Sequence, residues 1–274
     1  FDNTDLKYYP LKTFMTSRGC PFSCSYCYND AVKSEYKGKG KIVRVHSPER
    51  IIAEINEVRS KYPLKIIKFE DDLFGVNKIW LEKFTKLYKK EVGLPFNCLQ
   101  RLDTINRESL MLLKEANCVS ITAPIDAGSQ RIREEILERG MRMTNNEILN
   151  KIHMAKSIGL NVFSSCIIGV PTSTFEDELL GVKLHVDSKV DFAMASILTP
   201  FPKTSIWRFC QDNGLLEENA ENKGGSILQR SILKGFTEKE KDIQWNLATL
   251  YPAIIKLSLL RLFLLFIVKH TKPR

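Results

Sequence analysis

The stretch Ser17-Arg18-Gly19-Cys20-Pro21-Phe22-Ser23-Cys24-Ser25-Tyr26-Cys27-Tyr28-Asn29 decides how this chain is read. Its spacing, Cys-x3-Cys-x2-Cys, gathers three thiolates in one short loop and supplies no fourth. A structural zinc site closes with four ligands. Ordinary iron–sulfur clusters also take four cysteines. Three thiolates on a cubane cluster leave one iron open to a small molecule. A zinc half-site is the rival reading. The nearest histidine, His46, lies 19 residues past Cys27, and no second Cys-x2-Cys pair is present.

Outward from the loop, apolar runs alternate with amphipathic segments. Leu11–Ser17 reads as a strand feeding the cysteines. Ser47 is a good helix N-cap, Pro48 suits the first turn, and Ile51, Ile52 and Ile55 form one apolar face. Strands are expected at 64–69, 95–102, 118–125, 161–170 and 190–198. Helices are expected at 77–91, 108–115, 129–139, 145–158 and 175–188, with Gly159 in a C-cap position. Six strand-then-helix units argue for a parallel sheet by the right-handed crossover rule. Such folds place their chemistry at the carboxyl ends of the strands. The remainder reads as helical at 204–216, a polar loop at 217–225, and helical again at 237–246 and 252–270.

Composition sets the outer bounds. The 274 residues are 43% hydrophobic and 27% charged, ordinary for a folded α/β protein. The first residue is Phe, so the chain is read as a fragment or a processed piece. Cys98, Cys118, Cys166 and Cys210 are scattered, which argues against a secreted disulfide scaffold and for a reducing cytoplasm. The net charge of +9 would suit nucleic acid or an anionic membrane, but interspersed acidic residues point first to solvated helix faces. The run Leu262–Val268, preceded by Lys256 and Arg261, is too short and too charged for a span of about 20 residues. It reads as a packing helix, with a membrane-surface helix as the alternative.

Further segments carry polar groups where strands end. Glu70-Asp71-Asp72 offers carboxylates that suit an ammonium group. Ile125-Asp126-Ala127-Gly128-Ser129-Gln130 is followed by Arg139-Gly140. Ser165-Cys166-Ile167-Ile168-Gly169-Val170-Pro171 ends an apolar strand. Leu198-Thr199-Pro200-Phe201-Pro202-Lys203-Thr204 follows the last one.

Together these residues resemble the radical S-adenosylmethionine (SAM) superfamily, whose signature is three cysteines at this spacing with an aromatic, here Tyr26, before the last. The likeness extends over roughly residues 11–210. It is strongest to the subgroup often fused to an N-terminal cobalamin-binding domain, which includes methylases and anaerobic porphyrin ring cyclases. That subgroup's Ile-Glu-Ser-Gly-Ser segment is Ile125-Asp-Ala-Gly-Ser129 here, and its Thr-Pro-Tyr-Pro-Gly-Thr segment has Lys203 in place of Gly.

The resemblance implies a partial (β/α)6 TIM-like barrel over 1–203, a helical C-terminal extension over 204–274, and an N-terminal domain missing from this chain. Cys20, Cys24 and Cys27 would ligate a [4Fe-4S] cluster that reductively cleaves SAM to a 5′-deoxyadenosyl radical. Tyr26, Asp71, Asp72, Gly128, Ser129, Arg139, Ile167 and Gly169 would surround that cofactor. Within this set, Asp71 or Asp72 would receive the methionyl ammonium and Arg139 the carboxylate. Gly169 would let backbone approach the adenine. The expected reaction is cobalamin-assisted methyl transfer, or a related radical reaction, on a small molecule or lipid. Cobalamin would come through a domain not present in this chain, and electrons from a partner such as a flavodoxin or ferredoxin. The expected location is the cytoplasm, with peripheral membrane contact through 252–270. A tRNA methylthiotransferase-like modifier and a non-catalytic iron–sulfur or zinc-binding module are the alternatives. Nucleic acid is not the expected partner, because the flanking RNA-binding domains of those modifiers are not seen.

Overall fold

A computed structural model describes residues 4–222 and 230–273 of the chain. The first elements are β1 (Leu11–Phe14), β2 (Ser17–Arg18), α1 (Tyr28–Glu35), β3 (Arg44–Val45), α2 (Pro48–Lys61) and β4 (Ile66–Phe69). Next come α3 (Lys78–Glu91), β5 (Phe96–Leu99), α4 (Arg107–Glu115), β6 (Cys118–Thr122), α5 (Asn145–Ser157) and β7 (Asn161–Ile168). The chain continues through α6 (Phe175–Ser188), β8 (Phe192–Ile197), α7 (Ser205–Asp212), α8 (Glu238–Lys256) and α9 (Arg261–His270). Six strands form the expected parallel sheet in the order β1-β4-β5-β6-β7-β8.

The chain forms two compact units. The first comprises residues 1–21, 41–123 and 150–163; the second comprises 22–40, 124–149 and 164–274.

In the first unit, β1 pairs with β4 in the register Leu11↔Ile66 to Phe14↔Phe69, and β5 and β6 extend the parallel ladder. The two-stranded antiparallel pair β2–β3 stands apart from this sheet. Sequence pattern had joined β2 to β1. The strand instead breaks after Phe14, and Thr16 and Ser17 turn to the Asp71 carboxylate. Alternation along β1 and β4 buries Phe14, Ile67 and Phe69. Phe69 contacts Phe74, Phe84, Tyr88 and Phe96, and Trp80 stacks on Phe84 with ring centroids 4.9 Å apart. Full burial of each phenyl side chain contributes about 1.5–3 kcal/mol, so this aromatic cluster anchors α3 to the sheet.

In the second unit, α6 begins with a capping box between Thr174 and Asp177, and α8 with another between Thr237 and Glu240. Two expectations need correction here. Residues 129–139 do not form a regular α-helix; the recorded element is a π turn, Ile132–Ile136. Its Arg133 is fully buried and donates to the carbonyls of Ala127 at 2.6 Å and Met143 at 2.8 Å. A buried cation with backbone partners cannot be told from a surface arginine by periodicity. The C-terminal helices also break later than expected. Helix α8 runs through Pro252, and the break falls after Lys256, where Arg261 Nε donates to Ile254 O at 2.9 Å. Of the expected loop at 217–225, residues 220–222 form a 3-10 turn and 223–225 lie outside the described residues.

Candidate active site

Strand β1 delivers the cysteine loop, and in the first unit its entry is fixed by two carboxylates. Asp71 is buried and accepts from Thr16 N at 3.1 Å, Thr16 Oγ1 at 2.7 Å and Ser17 Oγ at 2.6 Å. Burial raises its pKa above the ordinary carboxylate value, against the opposing pull of the Ser17 and Thr16 bonds. Asp72 is exposed and accepts from Gly19 N at 3.0 Å, next to Cys20. Gly19 has φ +86°, and a Cβ there would lie 2.1 Å from Ile42 O, so only glycine fits. Beside this entry lies a mostly apolar cavity of about 270 Å³, walled by Thr16, Ser17, Val43, Val45, Leu73 and Trp80. The Trp80 indole N–H donates to His46 O at 2.7 Å.

In the second unit, Cys24 is buried and Cys27 half-buried, joined by a turn in which Cys27 N donates to Cys24 O at 3.0 Å. Ser25, between them, donates through N to Leu137 O at 3.0 Å and through Oγ to Ile136 O at 2.6 Å. Its own carbonyl accepts from Ile206 N at 3.0 Å. The end of the π turn therefore grips the loop, and turns of this kind are frequent at functional sites.

Arg139 is buried beside these cysteines. Its Nη1 reaches Cys24 Sγ at 3.5 Å, and its Nε lies 2.5 Å from Asp126 Oδ2. Burial alone would lower the Arg139 pKa, but Asp126, then Tyr26 and Cys24, hold it above the ordinary value. The Tyr26 phenol is pushed well up by burial and then by Asp126. Asp126 itself sits at φ +66°, a left-handed conformation that short polar side chains tolerate. The resembling family segment has Glu where Asp126 stands, one methylene longer. The left-handed backbone, which the sequence does not display, brings the shorter carboxylate onto the guanidinium.

The remaining residues named from sequence are also in the second unit. A Cβ on Gly128 would lie 2.2 Å from Gly181 N of α6, so the glycine permits a close backbone crossing. The space bordering Gly128 and Ile167 is about 10 Å³, room for roughly one water. Ser129 is buried and bonds Asp177. Ile167 N donates to Asp126 O at 2.7 Å, and its side chain, like that of Tyr26, packs against the buried cluster of Ala127, Ile132, Leu137 and Val170. Gly169, at φ +69°, donates through N to Glu178 Oε1 at 2.9 Å and lies under the Gln244 amide. Burial raises Glu178 to about 7. Glu178 and Gln244 had given no sequence signal, because only the fold brings them to Gly169. Lys203 holds φ +72°, so the loop keeps the backbone conformation glycine would favour. Among the described residues, no three His, Cys, Asp or Glu side chains converge as ligands of a single metal ion would.

A parallel α/β sheet whose first strand feeds a three-cysteine loop defines the class. The family model described as the radical SAM superfamily matches residues 14–180. An uncharacterized methyltransferase of Pyrococcus horikoshii is 32% identical over 232 residues, covering 84% of this chain and 49% of the relative. The hopanoid C-2 methylase of Rhodopseudomonas palustris is 27% identical over 228 residues, covering 80% and 42%. Among solved structures, the radical SAM methyltransferase TsrM from Kitasatospora setae, with cobalamin and [4Fe-4S] cluster bound, superposes with a TM-score of 0.63 at 15% identity, covering 74% of this chain and 37% of that one. The chain belongs to the radical SAM superfamily. It spans about half the length of the first of these relatives, or less for the others.

Proposed function

We propose that this chain is the radical-generating part of a methyltransferase acting on a small molecule or lipid. The observation that carries the reading is the three-cysteine loop with the Arg139 guanidinium set against Cys24 Sγ. The donor set suits a [4Fe-4S] cluster held by Cys20, Cys24 and Cys27, because cysteine sulfurs are the ligands such clusters take and three of them leave one iron for SAM. When bound, the cluster would supply the electron that splits the carbon–sulfur bond of SAM.

The chain's own residues bind and orient. Asp126 fixes the Arg139 fork and keeps it charged in a buried site. Asp72, the exposed carboxylate beside Gly19, is the group offered to the methionyl ammonium, while Asp71 braces Thr16 and Ser17. Arg139 would orient the methionine carboxylate, and Ile167 and Gly169 would border the adenine. Cobalamin, which is bound in the TsrM structure, would be brought to this chain by a separate domain, and a flavodoxin or ferredoxin would deliver electrons. The names of the methyltransferase relatives support methyl transfer.

Anaerobic reconstitution should yield about four irons per chain and a spectrum that shifts when SAM is added. Cys24→Ala should lose the iron while retaining the far-UV circular dichroism of the parent. A reconstituted spectrum indifferent to SAM would overturn the reading.

A further inference from the structure

The end of the chain carries a surface that the proposed chemistry leaves unused. After Asp242 the sequence has no acidic residue, yet it contains Lys256, Arg261, Lys269, Lys272 and Arg274. Helix α9 packs through its opposite side. Val268 is fully buried, and Asn246 Nδ2 of α8 donates to Val268 O at 3.3 Å and Thr271 O at 2.8 Å. What remains outward is apolar. Leu259 is 98% exposed, Leu262 84%, Phe263 61% and Phe266 60%. Within α9, Leu262, Phe263 and Phe266 lie on one side and Val268 on the other, and Leu259 extends the exposed apolar surface from the 3-10 turn Ser258–Leu260 just before the helix. Lys256, Lys269 and His270 are exposed at the ends of the stripe, while Arg261 is spent on the carbonyls of Ile254 and Ile255.

We infer that this face docks on an anionic lipid surface, with Leu259, Leu262, Phe263 and Phe266 entering the headgroup boundary and Lys256, Lys269 and Lys272 meeting lipid charge. Charge complementarity decides the occupant: the apolar stripe is bordered by cations and, along 243–274, by no anion. A helix that lies in the interface plane has this composition, whereas a span does not. No helix among the described residues is long and apolar enough to cross a membrane.

The test is sedimentation of the full chain with phosphatidylcholine vesicles, with and without phosphatidylserine. Binding is expected on the anionic vesicles only, and should weaken as salt screens the lysines. The variant Leu262→Glu/Phe266→Glu should lower the bound fraction about tenfold or more. Both side chains point to solvent, so its circular dichroism and melting should match the parent. Lys269→Glu should weaken binding to anionic vesicles. Three results would overturn the inference: no sedimentation with anionic vesicles, equal binding to both kinds, or parent-like binding by the double variant. A concentration-dependent dimer abolished by the double variant, without vesicle binding, would assign the face to a second copy instead. The assay needs no cluster, so its outcome is independent of the proposed chemistry.

Discussion

At Asp126 and Arg139, two opposite charges share a site with side-chain exposures of 5% and 8%. Taking a charge out of water is expensive, and removing one partner leaves the other stranded. Arg139→Ala or Asp126→Ala alone should therefore cost about 3–5 kcal/mol in urea unfolding. The double substitution should cost clearly less than the sum, because neither charge is then left alone. Strict additivity would show that the two do not act as a unit. Arg139 was legible in the sequence through the motif it matches. Its partner was not, since the arrangement depends on a positive φ at a residue that is not glycine. Lys203 teaches the same lesson from the other side. Lys203 stands where the resembling family has glycine and itself holds φ +72°, a conformation that costs an L-residue only about 1–2 kcal/mol.

Among the elements, the crossing of Gly128 against Gly181 fixes where α6 can lie within its unit. A methyl group at Gly128 would meet Gly181 N and Leu180 C, both at 2.2 Å, and backbone cannot swing aside as a side-chain end can. Gly128→Ala should lower stability by about 1–3 kcal/mol or more, read as a reduced denaturation midpoint with unchanged m-value. Gly159→Ala, whose Cβ would meet only the end of Lys114, gives the comparison for backbone strain alone, at φ +82°. Strands and most helices were legible because period-2 and period-3.6 patterns report burial directly: α3 falls at Lys78–Glu91, with Asn77 as its cap. The π turn and the course of α8 through Pro252 were not. The first depends on a buried arginine whose acceptors are distant carbonyls. The second depends on packing against β8 and α6, which keeps a helix going past a residue that lacks an N–H.

For the molecule as a whole, two buried groups set opposing responses to pH. His185 is fully buried and bonds Tyr251 Oη at 2.8 Å and Ser164 Oγ at 2.9 Å, and burial lowers its pKa to about 4 from 6.5. The unfolded chain then binds the extra proton first, so this contribution is full above about pH 6.5 and is lost as pH falls toward 4. The loss is on the order of 3 kcal/mol. Glu178, raised to about 7 from 4.5, works in reverse: the folded state holds the proton, so its contribution is full below about pH 4.5 and is lost as pH rises through 7. Across pH 4.5–6.5 the two slopes oppose each other. Glu178→Gln should therefore gain stability relative to the parent as pH rises from 4.5 to 7. His185→Gln should gain relative to the parent as pH falls from 6.5 to 4. Parallel curves for parent and variants, from melts at several pH values, would contradict the assignment.

The stacking of Trp80 on Phe84 beside the cavity of the first unit has an optical corollary. Of the three tryptophans in the chain, Trp80 is the one lining that cavity, while Trp207 and Trp245 belong to the second unit. An apolar guest entering there would dry one face of the indole, and its emission would move to the blue. Trp80 would thus report, without any label, whether a small apolar probe fills the cavity.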